Sequence, residues 1–84
     1  MEKRLIRLSD FTPKQSGRVV RIGCTGALRR RIVDMGITPG TLLTLQKIAP
    51  LGDPLEIRVR GYELSIRKSE AKEIFLEQVE MESQ

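Results

Sequence analysis

The clearest strand pattern in the sequence is the stretch Leu55-Glu56-Ile57-Arg58-Val59-Arg60, in which aliphatic and charged side chains alternate without a break. Successive side chains of a β-strand point to opposite faces, so this stretch places its aliphatic residues on one face and its charged residues on the other. Such a strand is typical of an antiparallel sheet with one buried and one solvated face. We therefore expect other strands to share this apolar face.

Four further segments have strand character: residues 18–22, 41–49, 64–66 and 74–76. In the first of them, Val20 and Ile22 are expected to share one face, with Val19 on the other. In the second, Leu43 and Leu45 are expected to share one face. Proline and glycine at Pro39-Gly40 and in the loop 50–54 separate these segments with turns. The sequence therefore predicts several short strands at close spacing.

One helix is predicted between the first two of the five strands. Leu28, Ile32 and Met35 recur at the spacing of a single helical face and form an apolar stripe. Gly36 follows where a helix commonly ends with a residue in the left-handed conformation. Ile32 and Ile37 then occupy the two positions whose side chains pack together in a Schellman motif. The helix is predicted to end there.

These elements fit one small domain. A chain of 84 residues is too short for a layered βαβ fold, whose units need about 30 residues each. A flat antiparallel sheet would expose one face and two edges, whereas a curled sheet buries one face and covers most of its edges. We therefore predict a mainly β fold, a small barrel of about five strands with one α-helix between strands 1 and 2 and short helical turns. The domain is expected at 8–79, between a flexible lead-in at 1–7 and a tail at 80–84.

The residue inventory argues against catalysis and against a resident metal. The sequence has no histidine, which removes the commonest general base and the commonest metal ligand. Its one cysteine, Cys24, is expected to act as a small buried hydrophobe, and its carboxylates show no spacing typical of metal ligands. No Gly-rich phosphate-binding loop is present. The prediction is a protein that is not an enzyme, with no catalytic residues, no metal site and no cofactor.

The charge distribution and two apolar residues outside the predicted core favour a protein-binding surface. The net charge is +4, with basic and acidic side chains mixed along the chain and one run of arginines at 29–31 on the predicted helix. A solvated helix face is the simpler explanation of this run, and a docking patch for an acidic partner or for lipid headgroups is the functional one. Leu42 lies on the polar face of its strand and Leu51 at the tip of a loop. Arg29, Arg30, Leu42 and Leu51 are therefore the candidate partner-binding residues.

Several strings of the sequence together resemble the ferrous iron transport protein A family (FeoA). The most specific part is the combination of Met35-Gly36-Ile37, Pro39-Gly40 and Gly52-Asp53-Pro54. The resemblance extends over residues 8–79. Other matching strings are Leu8-Ser9-Asp10-Phe11, Gly17-Arg18-Val19-Val20-Arg21-Ile22, Arg60-Gly61-Tyr62-Glu63-Leu64 and Glu70-Ala71-Lys72-Glu73-Ile74.

The resemblance implies an SH3-like barrel and an accessory role in ferrous iron uptake. The implied partner is a FeoB-type membrane GTPase transporter, which the protein would bind from the cytosolic side. The sequence shows neither a secretory leader nor an apolar run of the roughly 18 residues that a membrane helix needs. We therefore expect a cytoplasmic protein that meets the inner face of the membrane through its partner, with no insertion of its own. The same kind of domain also occurs at the C-terminus of metal-dependent repressors, but only seven residues stand before Leu8, so a repressor is not expected.

Two alternatives from other classes stay open. A small nucleic-acid-binding barrel is compatible with the isoelectric point of about 9.7, although barrels that bind single strands stack bases on aromatic residues, of which this chain has few. Such a role is expected to be the weaker explanation. A metal-sensing module is the other alternative. Self-association, and whether the protein activates, assembles or gates its partner, are not decided by the sequence.

Overall fold

The alternation at residues 55–60 is confirmed in the structure, a computed structural model that describes residues 4–79. Leu55, Ile57 and Val59 are buried, whereas Arg58 points to solvent. The strands are β1 (Leu5–Arg7), β2 (Ser16–Ile22), β3 (Leu42–Ile48), β4 (Leu55–Val59), β5 (Tyr62–Ile66) and β6 (Ile74–Val79). The helices are α1 (Gly26–Asp34) and α2 (Lys68–Ala71), and a 3₁₀ turn covers Leu8–Asp10.

The strands form one antiparallel sheet that curls around a single core. Their order across the sheet is β1-β6-β2-β3-β4-β5. The β2–β6 and β3–β4 ladders each contain a shift of register, and such irregularities bend a strand and increase its twist. Inward side chains of the sheet join Ile32 of α1 and Ala71 of α2 in one apolar cluster. The predicted mainly β class is therefore confirmed.

The predicted flexible lead-in, residues 1–7, contains a strand. Residues Leu5–Arg7 form β1, which pairs with β6, so the described part of the chain has six strands where about five were expected. For the same reason α1, predicted between strands 1 and 2, lies between β2 and β3. A three-residue strand with one inward residue, Ile6, is too short to show alternation. Residues 1–3 and the predicted tail at 80–84 lie outside the described residues.

The predicted faces of β2 are wrong at Val19 and Val20. Val20 was expected to share a face with Ile22 and Val19 to lie on the other, but Val19 and Ile22 are buried and Val20 is exposed. The cause is the shift of register between Val19 and Arg21, which interrupts the pairing of β2 with β6. Because the shift lets two core residues lie three positions apart, simple alternation could not identify them.

The predicted end of α1 is confirmed in detail. Gly36 has a φ of +91°, a left-handed value that glycine adopts without steric cost. Its amide donates to the carbonyl of Val33 at 2.9 Å, and the amide of Ile37 donates to the carbonyl of Ile32 at 3.3 Å. These are the two hydrogen bonds of a Schellman motif, and both isoleucines are fully buried. The end of α1 is thereby held against the core.

A buried carboxylate joins the two helices. Glu70 in α2 is 3% exposed, and its Oε1 accepts a hydrogen bond from the amide of Arg67 at 2.9 Å. Its Oε2 lies 2.8 Å from Nε of Arg31 in α1. A buried carboxylate is strongly destabilising unless it is paired and hydrogen-bonded. The position of α1 relative to α2 therefore depends on Arg31.

We predict that Arg31→Ala destabilises the fold more than Arg30→Ala does. The first variant leaves the Glu70 carboxylate buried with no cation, which we expect to lower the free energy of unfolding by about 2 kcal/mol. Arg30 is exposed, so its truncation should change this free energy by less than about 0.5 kcal/mol. Urea denaturation at constant m-value measures both. Equal effects of the two variants would contradict the structural role of Arg31.

Candidate protein-binding surface

Helix α2 lies between α1 and the loop 50–54. It contacts α1 through the Arg31–Glu70 pair, and the Oδ1 of Asp53 accepts a hydrogen bond from the amide of Lys68 at 2.9 Å. The helices and this loop therefore occupy one side of the barrel. We call the surface formed by α1, α2 and residues 50–54 the helical side.

Leu51 is the most exposed apolar residue of the helical side. Its side chain is 96% exposed, at the tip of the loop between β3 and β4. Two backbone hydrogen bonds order the loop around it. The amide of Gly52 donates to the carbonyl of Ala49 at 2.8 Å, and the amide of Ala49 donates to the carbonyl of Pro54 at 3.0 Å. Burying a leucine side chain contributes about 1.5–3 kcal/mol. Leu51 is thus presented where a partner could bury it at little cost in loop entropy.

The three consecutive arginines of α1 have different environments. Arg29 and Arg30 are exposed, and neither forms an ion pair with any residue in the range 4–79. Arg31 forms an ion pair with Glu70 of α2, and no sequence pattern indicated this contact. Two unpaired cations on the helix are therefore available to a partner, and the third has a structural role.

The fourth candidate residue, Leu42, is not brought together with Leu51. Leu42 begins β3, where it is 36% exposed and pairs across the sheet with Arg18 of β2. The loop that carries Leu51 follows the other end of β3. The strand has seven residues and is therefore about 20 Å long. Leu42 and Leu51 consequently lie on separate parts of the surface.

An aromatic residue with two arginines also lies on the outer face of the sheet, and the sequence analysis missed it. Phe75 of β6 is half-buried, with the guanidinium carbon of Arg21 at 4.3 Å and that of Arg7 at 5.4 Å from the centroid of its ring. The available signal was alternation, since Phe75 stands between the inward residues Ile74 and Leu76 and must face outward. The two arginines are far apart in sequence, so no local pattern connects them with Phe75.

The described residues contain no cluster of three or more histidine, cysteine or carboxylate side chains that could hold a metal ion. Cys24 is half-buried and packs against the core cluster, as a small hydrophobic residue does. Between residues 4 and 79, neither helix is long and apolar enough to cross a membrane.

Comparison with known proteins agrees with the resemblance seen in the sequence. A family model described as the FeoA domain matches residues 6–78. A Porphyromonas gingivalis protein, named as a fusion of Fe(2+) transport protein A and the Fe(2+) transporter FeoB, is 35% identical over 72 residues. The match covers 86% of this chain and only 8% of that protein. The chain therefore corresponds to a small part of the fusion protein.

Solved structures show the same fold. The NMR structure of a FeoA-like protein from Clostridium acetobutylicum has a TM-score of 0.87 at 42% identity, covering 100% of this chain and 96% of that one. A zinc complex of FeoA from Stenotrophomonas maltophilia, described as a prokaryotic SH3 domain protein, has a TM-score of 0.75 at 25% identity, covering 86% and 89% of the two chains. The barrel is therefore SH3-like, as predicted.

Metal-dependent repressors share the fold alone. A manganese-dependent transcriptional repressor in complex with manganese has a TM-score of 0.85 at 15% identity, over 93% of this chain and 38% of that one. The more similar structures and the family model agree on a single assignment. This chain belongs to the FeoA family, whose members are linked by name to ferrous iron transport.

Proposed function

We propose that the protein is a non-enzymatic accessory of ferrous iron uptake, which binds the cytosolic part of a FeoB-type membrane transporter through its helical side. The observation that carries the proposal is the Porphyromonas gingivalis relative, in which an Fe(2+) transport protein A and an Fe(2+) transporter FeoB are named as one fusion protein. Fusion keeps two modules at a high effective concentration, which favours their association. We therefore infer that this domain has an affinity of its own for the transporter.

The helical side has the features of a small protein contact. Leu51 offers an exposed apolar anchor, and Arg29 and Arg30 offer unpaired charges. An apolar residue buried in a partner's pocket commonly provides most of the binding free energy, whereas charges at the rim mainly increase the association rate. Near an anionic membrane, two arginines would add only about 1 kcal/mol each, which is too little to anchor the protein. A protein partner therefore explains the surface better than a lipid one.

We predict that Leu51→Asp and the double variant Arg29→Glu/Arg30→Glu each weaken binding to the purified cytosolic part of the transporter. A loss of about tenfold or more is expected for each, because the first removes the apolar anchor and the second reverses the charge of the helix. Isothermal titration calorimetry measures the affinity.

Two variants at other places on the surface are matched controls for this experiment. Tyr62→Asp changes a side chain that is 71% exposed on β5, and Lys14→Glu/Arg58→Glu makes the same charge change as the double variant. Both should keep the affinity within about twofold of the original. Unchanged binding by the Leu51 and Arg29/Arg30 variants would remove the helical side as the contact surface.

Leu42 stays a predicted contact residue at a second point of the surface. If the partner extends from the helical side along the sheet to the start of β3, Leu42→Asp should weaken binding by about threefold to tenfold. The same titration measures the effect. Unchanged affinity would exclude Leu42 from the contact without affecting the prediction for Leu51.

Nucleic-acid binding is the weaker alternative, because few aromatic rings are open for stacking. Phe11 is buried in the core, and guanidinium groups cover the ring of Phe75. Tyr62 is the one exposed aromatic ring without such a cover among residues 4–79. We predict no saturable binding of a labelled single-stranded oligonucleotide at about 50 mM salt, as measured by fluorescence anisotropy. Tight binding that falls steeply with added salt would contradict this prediction.

A further inference from the structure

The outer face of β1, β6 and β2 carries a preformed arginine–phenylalanine–arginine stack. Arg7, Phe75 and Arg21 pair directly across the three neighbouring strands. The strands of the two arginines flank β6 on its two sides, and their guanidinium carbons lie 5.4 Å (Arg7) and 4.3 Å (Arg21) from the centroid of the Phe75 ring. Stacking of an arginine on a ring leaves the N–H groups at the edge of its guanidinium plane free to bind an anion.

The position of Phe75 depends on a glycine at the end of β2. A Cβ atom on Gly23 would lie 2.8 Å from Cε1 of Phe75 and 3.2 Å from Oε1 of Glu73. The amide of Gly23 also donates a hydrogen bond to the carbonyl of Glu73 at 2.7 Å. The absence of a side chain at Gly23 therefore lets the ring of Phe75 lie directly against the backbone.

A groove of about 450 Å³ begins at this stack and runs along α2. Its basic residues are Arg7, Lys68 and Lys72, and its acidic residues are Asp10 and Glu73. None of the three basic side chains forms an ion pair or a hydrogen bond with another residue in the part of the chain that the structure describes. We call this feature, together with Arg21, which stacks on the lining residue Phe75, the basic groove.

The basic groove is continuous with the helical side. Ser9 and Lys68 line the groove and also line a smaller cavity that reaches Gly52, the residue after Leu51. One extended segment of a partner could therefore contact Leu51 and the groove together. Such a segment would need an apolar residue for the first contact and anionic groups for the second.

We propose that the basic groove binds an acidic segment of the protein partner, with Arg7 and Arg21 as the principal ligands of its carboxylates. The proposal rests on the proposed function in taking this partner to be the transporter's cytosolic part. Arginine forks match carboxylates in two parallel hydrogen bonds, and the stack holds these forks in place before binding. Asp10 and Glu73 interrupt the positive charge, a pattern that suits separate side chains better than a uniformly anionic surface such as a membrane.

A purely structural role for the arginines makes a different prediction. If Arg7 and Arg21 only shield Phe75 from water, their replacement would lower thermal stability and leave binding unchanged. If they bind the partner, the variant Arg7→Gln/Arg21→Gln should lose about tenfold or more in affinity while it remains folded. Lys68→Gln/Lys72→Gln tests the same groove without touching the stack, and we expect a loss of about threefold or more.

The experiment has two arms, so that the groove and the identity of the partner are tested separately. In the first arm, the ¹⁵N-labelled chain is titrated with a short synthetic peptide of aspartate and glutamate, and amide shifts are mapped onto the structure. In the second, the affinity for the transporter's cytosolic part is measured for the original chain, for both groove variants, and for Lys14→Gln/Arg58→Gln, which makes the same charge change elsewhere. Vesicles of phosphatidylglycerol serve as the comparison for a lipid surface.

We expect peptide-induced shifts concentrated around Arg7, Ser9, Lys72 and Phe75, and weakened transporter binding by the groove variants but not by the control.

The inference is overturned if the peptide causes no localised shifts, if both groove variants keep the original affinity, or if vesicles and not the peptide bind through the groove. If the original chain does not bind the transporter at all, the proposed function fails. The peptide titration still tests whether the groove binds carboxylates. Should Arg7→Gln/Arg21→Gln unfold, Lys68→Gln/Lys72→Gln supplies the decisive comparison.

Discussion

The carboxylate of Glu70 is the contact on which the arrangement of the helical side depends. Glu70 is the third residue of α2 and is buried there, where its carboxylate accepts a hydrogen bond from the amide of Arg67 and pairs with Arg31 of α1. Because a buried carboxylate without such partners is costly, α1 is held where its arginine reaches Glu70. Asp53 accepts a hydrogen bond from the amide of Lys68 and so holds the loop 50–54 to the same short helix. The four residues of α2 thus set the relative positions of segments that are distant in sequence.

The barrel is held mainly by its apolar cluster, and several apolar and cationic side chains remain exposed on its outer surface. Its exposed features are of two kinds. Leu51 is an apolar side chain presented on an ordered loop, and Arg7 and Arg21 are cations held by an aromatic ring. They lie on neighbouring parts of the surface, connected through Ser9 and Lys68. A partner that combines an apolar residue with carboxylates would match both.

Much of the fold could be predicted from local patterns. The alternation of β4, the Schellman end of α1 and the exposure of Leu51 each depend on a few consecutive residues, and all three were identified correctly. The prediction failed where the local pattern was interrupted or too short. The shift of register after Val19 turned Val20 outward, and β1 is stabilised by pairing with β6, at the far end of the chain. Neither effect is visible in the residues of the element itself.

The sequence by itself determined the mainly β class, the helix and its end, and the candidates Arg29, Arg30, Leu42 and Leu51, because strand alternation and helix capping act over a few residues. Only the tertiary structure decided which of these side chains lie together, separating Leu42 from Leu51 and assigning Arg31 to Glu70. It also brought Arg7 and Arg21, from the two strands beside β6, against the ring of Phe75. The physical reason is that strand order and buried ion pairs join residues far apart in the chain, and no local periodicity records those contacts.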